Sequence, residues 1–170
     1  MNIFYQMIAL PLVFYSTTSL GSSTFPDSWI GKWTGKAQTV RDQKIQRTMQ
    51  MTLEIRSTEN PDVFDFQIQY EGEKVRQYEL VAKNRSRGHW VLDEKNGILI
   101  DSFYSQNILR SLFMVNGKII PFRYEKNRNR IHIDSPIFQA VQPNISGTPD
   151  FSVSSFSIIN SQIALLKKNE

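Results

Sequence analysis

Apolar side chains recur at every second position through most of this chain, and that period fits one regular structure, the half-buried β-strand. Met49, Met51, Leu53 and Ile55 alternate with Thr48, Gln50, Thr52 and Glu54. Phe64, Phe66, Ile68 and Tyr70 alternate with Asp65, Gln67 and Gln69. Each run has one apolar and one polar face. Turn-forming residues 57–62 separate the two runs, and Glu71-Gly72-Glu73 closes the second before a third opens at Val75. Asn96-Gly97 divides 90–94 from 98–104, and Asn116-Gly117 divides 109–115 from 119–124. Asn-Gly suits a type I′ hairpin, whose two central residues both need positive φ. Residues 131–134 form the next strand, interrupted by Pro136. Residues 142–150, with two Pro and a Gly, read as the longest loop, and two strands over 151–159 and 162–166 finish the chain. No segment beyond residue 21 has a helical face. About ten short strands joined by hairpins predict an all-β fold, an antiparallel up-and-down β-barrel of about 8–10 strands with no exposed edge. A two-sheet sandwich is the competing architecture, and it needs long crossovers that the short connections do not supply.

The first twenty residues contradict the pattern. They carry no charged side chain, and 3–15 is almost wholly apolar. Ser19-Leu20-Gly21 then offers small residues of the kind a signal peptidase reads. The expectation is a signal peptide over 1–21, a single barrel domain over 22–170, and a secreted protein, extracellular or periplasmic. An uncleaved anchor is the alternative, because no Lys or Arg precedes the apolar stretch. Stable membrane insertion after cleavage is not expected. The chain has no cysteine, so disulfides, zinc–thiolate clusters and thiol catalysis are excluded, and the core alone must hold the fold. The formal net charge of +4 draws on two small clusters, Lys83/Arg85/Arg87 and Lys126/Arg128/Arg130. Both fall at turns and read as solvated loop tips rather than a nucleic-acid surface. Asn84-Arg85-Ser86 and Asn144-Ile145-Ser146 are glycosylation sequons, if the host is eukaryotic.

The domain opens on Gly31-Lys32-Trp33. This triplet resembles the Gly-x-Trp signature at the first strand of lipocalins and related calycin barrels, and the strand order is similar too. The resemblance implies that Gly31 and Trp33 form a barrel-closing motif, with a basic side chain from a late strand packed across the indole. Lys167 and Lys168 are the candidates for that cation, ahead of Arg123. A cation over an indole face contributes on the order of 1 kcal/mol. The Thr-Asp-Tyr triplet and the C-terminal helix pattern of lipocalins are missing.

Catalytic signatures are weak, and no enzyme is expected. His89 and His132 are the two histidines, with no nucleophile elbow, phosphate loop or His-Glu-x-x-His pattern around them. His132 alternates with Ile131 and Ile133 and reads as solvent-facing, with a haem-ligand role as the alternative. Asp93, Glu94 and Asp101 flank the Asn96-Gly97 hairpin at separations a glycosidase pair would tolerate, as any hairpin-flanking acids would. No metal or cofactor is expected. The more specific pattern is polar residues on apolar faces. Arg76 and Tyr78 alternate with Leu80, and Arg110 alternates with Ile108, Leu112 and Met114. If those faces point inward, Arg76, Tyr78, Arg110 and Tyr104 form the polar end of a cavity lined by Met49, Met51, Phe64 and Phe66. The partner would be a small, mainly apolar ligand. The alternatives are internal salt bridges with no cavity, a filled barrel that acts through its outer surface as an extracellular interaction module, and, third, a weak enzyme of sugar or lipid chemistry.

Overall fold

A computed structural model of the chain describes residues 24–170. The expected signal segment, 1–21, lies outside the described residues. Ten strands form one closed antiparallel barrel. They are β1 (Gly31–Arg41), β2 (Lys44–Ser57), β3 (Val63–Tyr70), β4 (Arg76–Asn84), β5 (His89–Asp93), β6 (Leu99–Ser105), β7 (Ile108–Val115), β8 (Lys118–Asn127), β9 (Arg130–Gln139) and β12 (Ile158–Lys168). β1 pairs with both β2 and β12, which closes the ring. The remaining two strands, β10 (Asn144–Thr148) and β11 (Phe151–Ser155), pair only with each other as a ribbon between β9 and β12.

The period-two runs set which side chains enter the barrel. From β2, Met51, Leu53 and Ile55 are buried, and from β3, Phe64, Phe66, Ile68 and Tyr70. Tight turns hold successive strands together. Asn116 and Gly117 take φ of 49° and 70°, as a type I′ turn requires. Asp42-Gln43 and Gln106-Asn107 adopt the same sign of φ without glycine. The Asn96-Gly97 connection differs from the expectation. Lys95 and Gly97 carry the positive φ, and the Glu94 amide donates to the Ile98 carbonyl, so the loop is wider than two residues. Asp93 and Asn96 side chains cap it instead, accepting from Lys95 N and Ile98 N.

Two segments differ from their sequence reading. The expected loop at 142–150 contains β10, and the β10–β11 ribbon is exposed along its whole length. β9 also runs through Pro136 rather than ending before it.

The end of the barrel where β1 begins is closed. A short 3-10 turn, Asp27–Trp29, crosses it and buries Trp29. Trp33 is fully buried and donates its indole N–H to the Trp29 carbonyl at 2.9 Å. Phe25 stacks on Tyr104 at 4.1 Å and meets Trp29 and Trp90 edge-on. Lys168 lies over the Trp33 ring, its Nζ 5.4 Å from the centroid. Gly31 explains the first position of the triplet. Its φ is +134°, and a Cβ there would stand 2.7 Å from Lys168 Cε, so a side chain would displace the lysine stem. A second indole, Trp90, is covered the same way, by the Arg85 guanidinium at 4.9 Å. Arg85 is held there by Asp62 at 2.8 Å.

Candidate functional site: a cavity at the open end

The opposite end of the barrel is not filled. Here β3 ends at Tyr70 and β4 begins at Arg76, and a cavity of about 240 Å³ opens between the strands. Ile68, Leu92, Ile100, Phe113, Ile120 and Phe122 supply its apolar wall. Tyr124 forms its base, buried to 5% exposure, with Phe66 edge-on at 5.7 Å and Phe122 stacked at 5.6 Å. Tyr70, Arg76, Tyr78 and Glu94 are its polar groups.

Arg76 reaches the rim because Arg76, Tyr78 and Leu80 stand on one face of β4, opposite Ile68, Phe66 and Phe64 of β3. Its guanidinium donates to Glu73 at 2.9 Å and lies over the Tyr70 ring at 5.2 Å. Tyr70 in turn accepts a hydrogen bond from Gln162 Nε2 at 2.5 Å, tying β3 to β12 across the mouth. Burial raises the Tyr78 hydroxyl above its ordinary pKa, and the Glu94 carboxylate adds to the rise while Arg76 opposes it. Burial pushes Tyr124 well above the usual phenol value, with Tyr70 and Tyr78 adding to the rise and Arg76 opposing it. A group that stays neutral and can donate is therefore available at the base, with one cation and one carboxylate at the rim.

Two of the eight side chains proposed from the sequence border this cavity, Arg76 and Tyr78. Met51 and Phe66 are buried in the barrel core, Phe64 packs against Trp90, and Met49 is half-buried beside the core. Tyr104 lies at the closed end, stacked on Phe25, with its hydroxyl donating to Asn107 at 3.1 Å. Arg110 is exposed on the outer surface, where it donates to Ser105 Oγ at 3.1 Å. On β7 the face that points inward is the opposite of the one the sequence suggests. Leu109, Ser111 and Phe113 are the more buried set, while Leu112 and Met114 are each 69% exposed. Tyr104 fails for a different reason: it does face inward, but at the filled end.

Glu94, Tyr70 and Tyr124 join the cavity without a sequence signal that singles them out as site residues. Tyr70 and Tyr124 each end an apolar period-two run, and Glu94 stands two residues beyond the buried Leu92. His132 is exposed on the outer face, between the buried Ile131 and Ile133, and does not reach the interior. Asp101 is outside too, 2.6 Å from His89, whose ring stacks on Phe103. Glu94 and Asp101 therefore stand on opposite sides of the wall.

The closed floor, the capped Gly31–Trp33 motif and the ten-stranded antiparallel ring define a closed up-and-down β-barrel of lipocalin-like fold. Solved structures agree on the fold. A protein of unknown function of the DUF3598 family from Nostoc punctiforme matches with a TM-score of 0.61 at 9% identity, over 84% of this chain and 48% of that one. The chain thus spans about half that protein's length. An S-type phycobiliprotein lyase from Guillardia theta matches with a TM-score of 0.55 at 6% identity, over 84% of this chain and 89% of the other. A zebrafish ileal bile acid-binding protein complexed with cholic acid, at a TM-score of 0.43 and 10% identity, is too loose a match to locate a site. No protein-family model and no curated protein matches the sequence.

Proposed function

We propose that this chain is an exported carrier barrel that holds a small, mainly apolar molecule in the open-end cavity. The cavity itself carries this reading: it is apolar on its walls, polar at its rim, and set against a contiguous buried core. Ligand pockets are commonly composed this way, although they usually enclose about 300–1,000 Å³. At about 240 Å³ the cavity suits a ligand part no larger than a few fused rings or a short chain. Tyr124 and Tyr78 would donate to its polar atom, and Arg76 would pair with any negative charge it carries. Export rests on the uncharged apolar stretch over residues 1–20. N-terminal sequencing of the mature protein checks that part, and a start near Ser22 is expected.

The neutral fluorophore 1-aminoanthracene tests the cavity directly. The wild-type barrel is expected to bind it with one-to-one stoichiometry and a blue-shifted emission. Ile100→Trp, which fills the cavity, should abolish that signal. A wild-type protein that binds no probe, and that shows a bare mass by native mass spectrometry when purified from its own host, overturns the reading. Exposed Ile145, Phe151 and Val153 on the β10–β11 ribbon favour the second reading, a surface-interaction module. Such a module would bind no probe and would lose its partner when residues 144–155 are removed.

A further inference from the structure

The two basic clusters of the sequence meet different fates in the fold. In Lys83/Arg85/Arg87, Arg85 is tied to Asp62 and lies over the Trp90 ring. The Lys126/Arg128/Arg130 cluster gains further cations instead of partners. The end of β12 brings Lys167 and Lys168 beside it at the closed end, where the Lys168 amide donates to the Asn129 carbonyl at 3.0 Å. Arg130 and Lys167 stand directly opposite each other on β9 and β12. Their neighbours Ile131 and Leu166 point inward and are fully buried, so both cations project from the outer wall. Lys126 follows the buried Tyr124 on the inward phase of β8 and lies near Lys168 at the edge of the floor. Burial first, and the Lys168 ammonium second, lower its pKa.

Like charges directly across a ladder repel. None of Lys126, Arg128, Arg130, Lys167 and Lys168 has an ion-pair partner among the described residues. Glu125 stands close by on β8 and is occupied by Arg123 at 2.7 Å. An open groove of about 610 Å³ runs beside the cations, bordered by Arg128, Arg130, His132, Asn127 and Asn129, with Glu125 and Leu165 at its sides. An anion shared between β9 and β12 would turn the repulsion there into attraction.

The surroundings favour one kind of anion. A bilayer surface takes cations flanked by exposed apolar side chains. Leu165 is the one large apolar side chain on this groove, whereas Ile45, Val75, Ile98 and Val115 are exposed on the hairpins of the opposite end. A single-stranded nucleic acid needs open rings on which to stack, and the three tryptophans at the closed end are buried. Repeated charge and hydrogen bonding, without insertion or stacking, suit an anionic sugar chain. We propose that the closed end binds a sulfated polysaccharide, with sulfate groups held between Arg130 and Lys167 and along Lys126, Arg128 and Lys168. The carboxamides of Asn127 and Asn129 can both donate to and accept from its hydroxyls. The proposal rests on export, which brings the protein to such polymers, and it is independent of the cavity.

A heparin hexasaccharide, titrated into the exported protein by calorimetry at about 0.15 M salt, tests the site. Wild type should bind it, and Arg130→Gln/Lys167→Gln should weaken binding by about tenfold, at a few-fold for each cation near an anionic surface. The slope of log affinity against log salt should shrink by about two, one for each cation removed. The same variant should unfold at a higher temperature than wild type, because the repulsion across β9 and β12 is relieved. Lys44→Gln/Lys74→Gln, matched in charge at the opposite end, should bind as wild type does. Equal losses in the two variants overturn the proposal, because net charge alone would then set the affinity. Wild type that binds no hexasaccharide also overturns it. So does equal binding of a DNA duplex or of phosphatidylserine vesicles, which would assign the patch to another polyanion. Loss of 1-aminoanthracene binding in wild type would sink the cavity and leave this site standing. The titration itself does not depend on export, which N-terminal sequencing checks.

Discussion

The two ends of this barrel are built from similar residues to opposite effect. At the closed end three tryptophans, Trp29, Trp33 and Trp90, are buried to 2% exposure or less, with Phe25 and Tyr104 packed among them. At the open end the aromatics are tyrosines and phenylalanines arranged around a space, with Arg76 and Glu94 at the rim. Cations lie over rings at both ends, but they do different things. Lys168 and Arg85 seal finished packing from outside, while Arg76 over Tyr70 edges an opening. The difference teaches that aromatic content alone does not make a pocket. A pocket needs aromatics too few or too small to meet across the ring, and polar groups that keep solvent access at the edge.

The comparison breaks most readily at the floor. Trp33→Ala removes a fully buried indole, the hydrogen bond to the Trp29 carbonyl and the seat of Lys168. Chemical denaturation should show a loss of about 3–5 kcal/mol. A loss below about 1 kcal/mol would mean the floor is not the stabilising end, since surface changes cost that little. Gly31→Ala should come next. It forces a side chain into φ +134° and against Lys168 Cε, and about 1–3 kcal/mol is expected for a residue strained in that region. Thermal unfolding checks it, and Lys168→Ala in the same background should recover part of the loss by removing the clash.

Arg76→Leu sharpens the comparison from the other side. Its ion pair with Glu73 is more than half exposed on the arginine side, so stability should change by less than about 1 kcal/mol. Native mass spectrometry of the variant from its own host should show the ligand depleted relative to wild type. Full retention of ligand with a drop in stability of floor-variant size would make Arg76 a packing residue, and the rim would lose its proposed role.

Much of the floor was legible in the sequence, and much of the mouth was not, for physical reasons. Gly31-Lys32-Trp33 is a local signal whose residues each have one use, and the late-strand cation expected over Trp33 is Lys168. The mouth depends on the phase of β7, where each face mixes apolar residues with one polar one, Arg110 on one side and Ser111 on the other. Three large apolar residues, Ile108, Leu112 and Met114, surround Arg110 on one face, yet Leu112 and Met114 are out with it and the face with Leu109, Ser111 and Phe113 is in. Alternation fixes a period but not its sign when both faces carry large apolar residues. Arg85 reads as a solvated loop tip because its ion-pair partner, Asp62, is distant in sequence, and because the 3-10 turn over Arg85–Arg87 that folds it back over the nearby Trp90 ring has no sequence signal of its own. Pro136 read as an interruption to its strand, and the strand continues through it. What the sequence could not display alone was Pro121 opposite it, since that pairing exists only once the β8–β9 register is known.

Tyr124 offers the finest test, because it sits where the filled and open parts meet. It is buried at 5% exposure, packs on Phe66 below and lines the cavity above. Burial holds its phenol pKa well above the ordinary value of 10.0, so the folded barrel keeps a proton there that the unfolded chain gives up. Stability from this group is complete below pH 10 and is lost as the pH climbs above it, because the unfolded state then binds fewer protons than the folded one. Wild type should therefore weaken on alkaline titration above the ordinary phenol value. Tyr124→Phe should be nearly neutral at pH 7 and should flatten that decline, though not abolish it, because burial raises Tyr70 and Tyr78 as well. Ultraviolet titration of wild type should show one phenol ionising only as the barrel unfolds. If every tyrosine titrates near its ordinary value while circular dichroism stays native, water reaches the cavity base, and the boundary between packed floor and open mouth lies deeper than Tyr124.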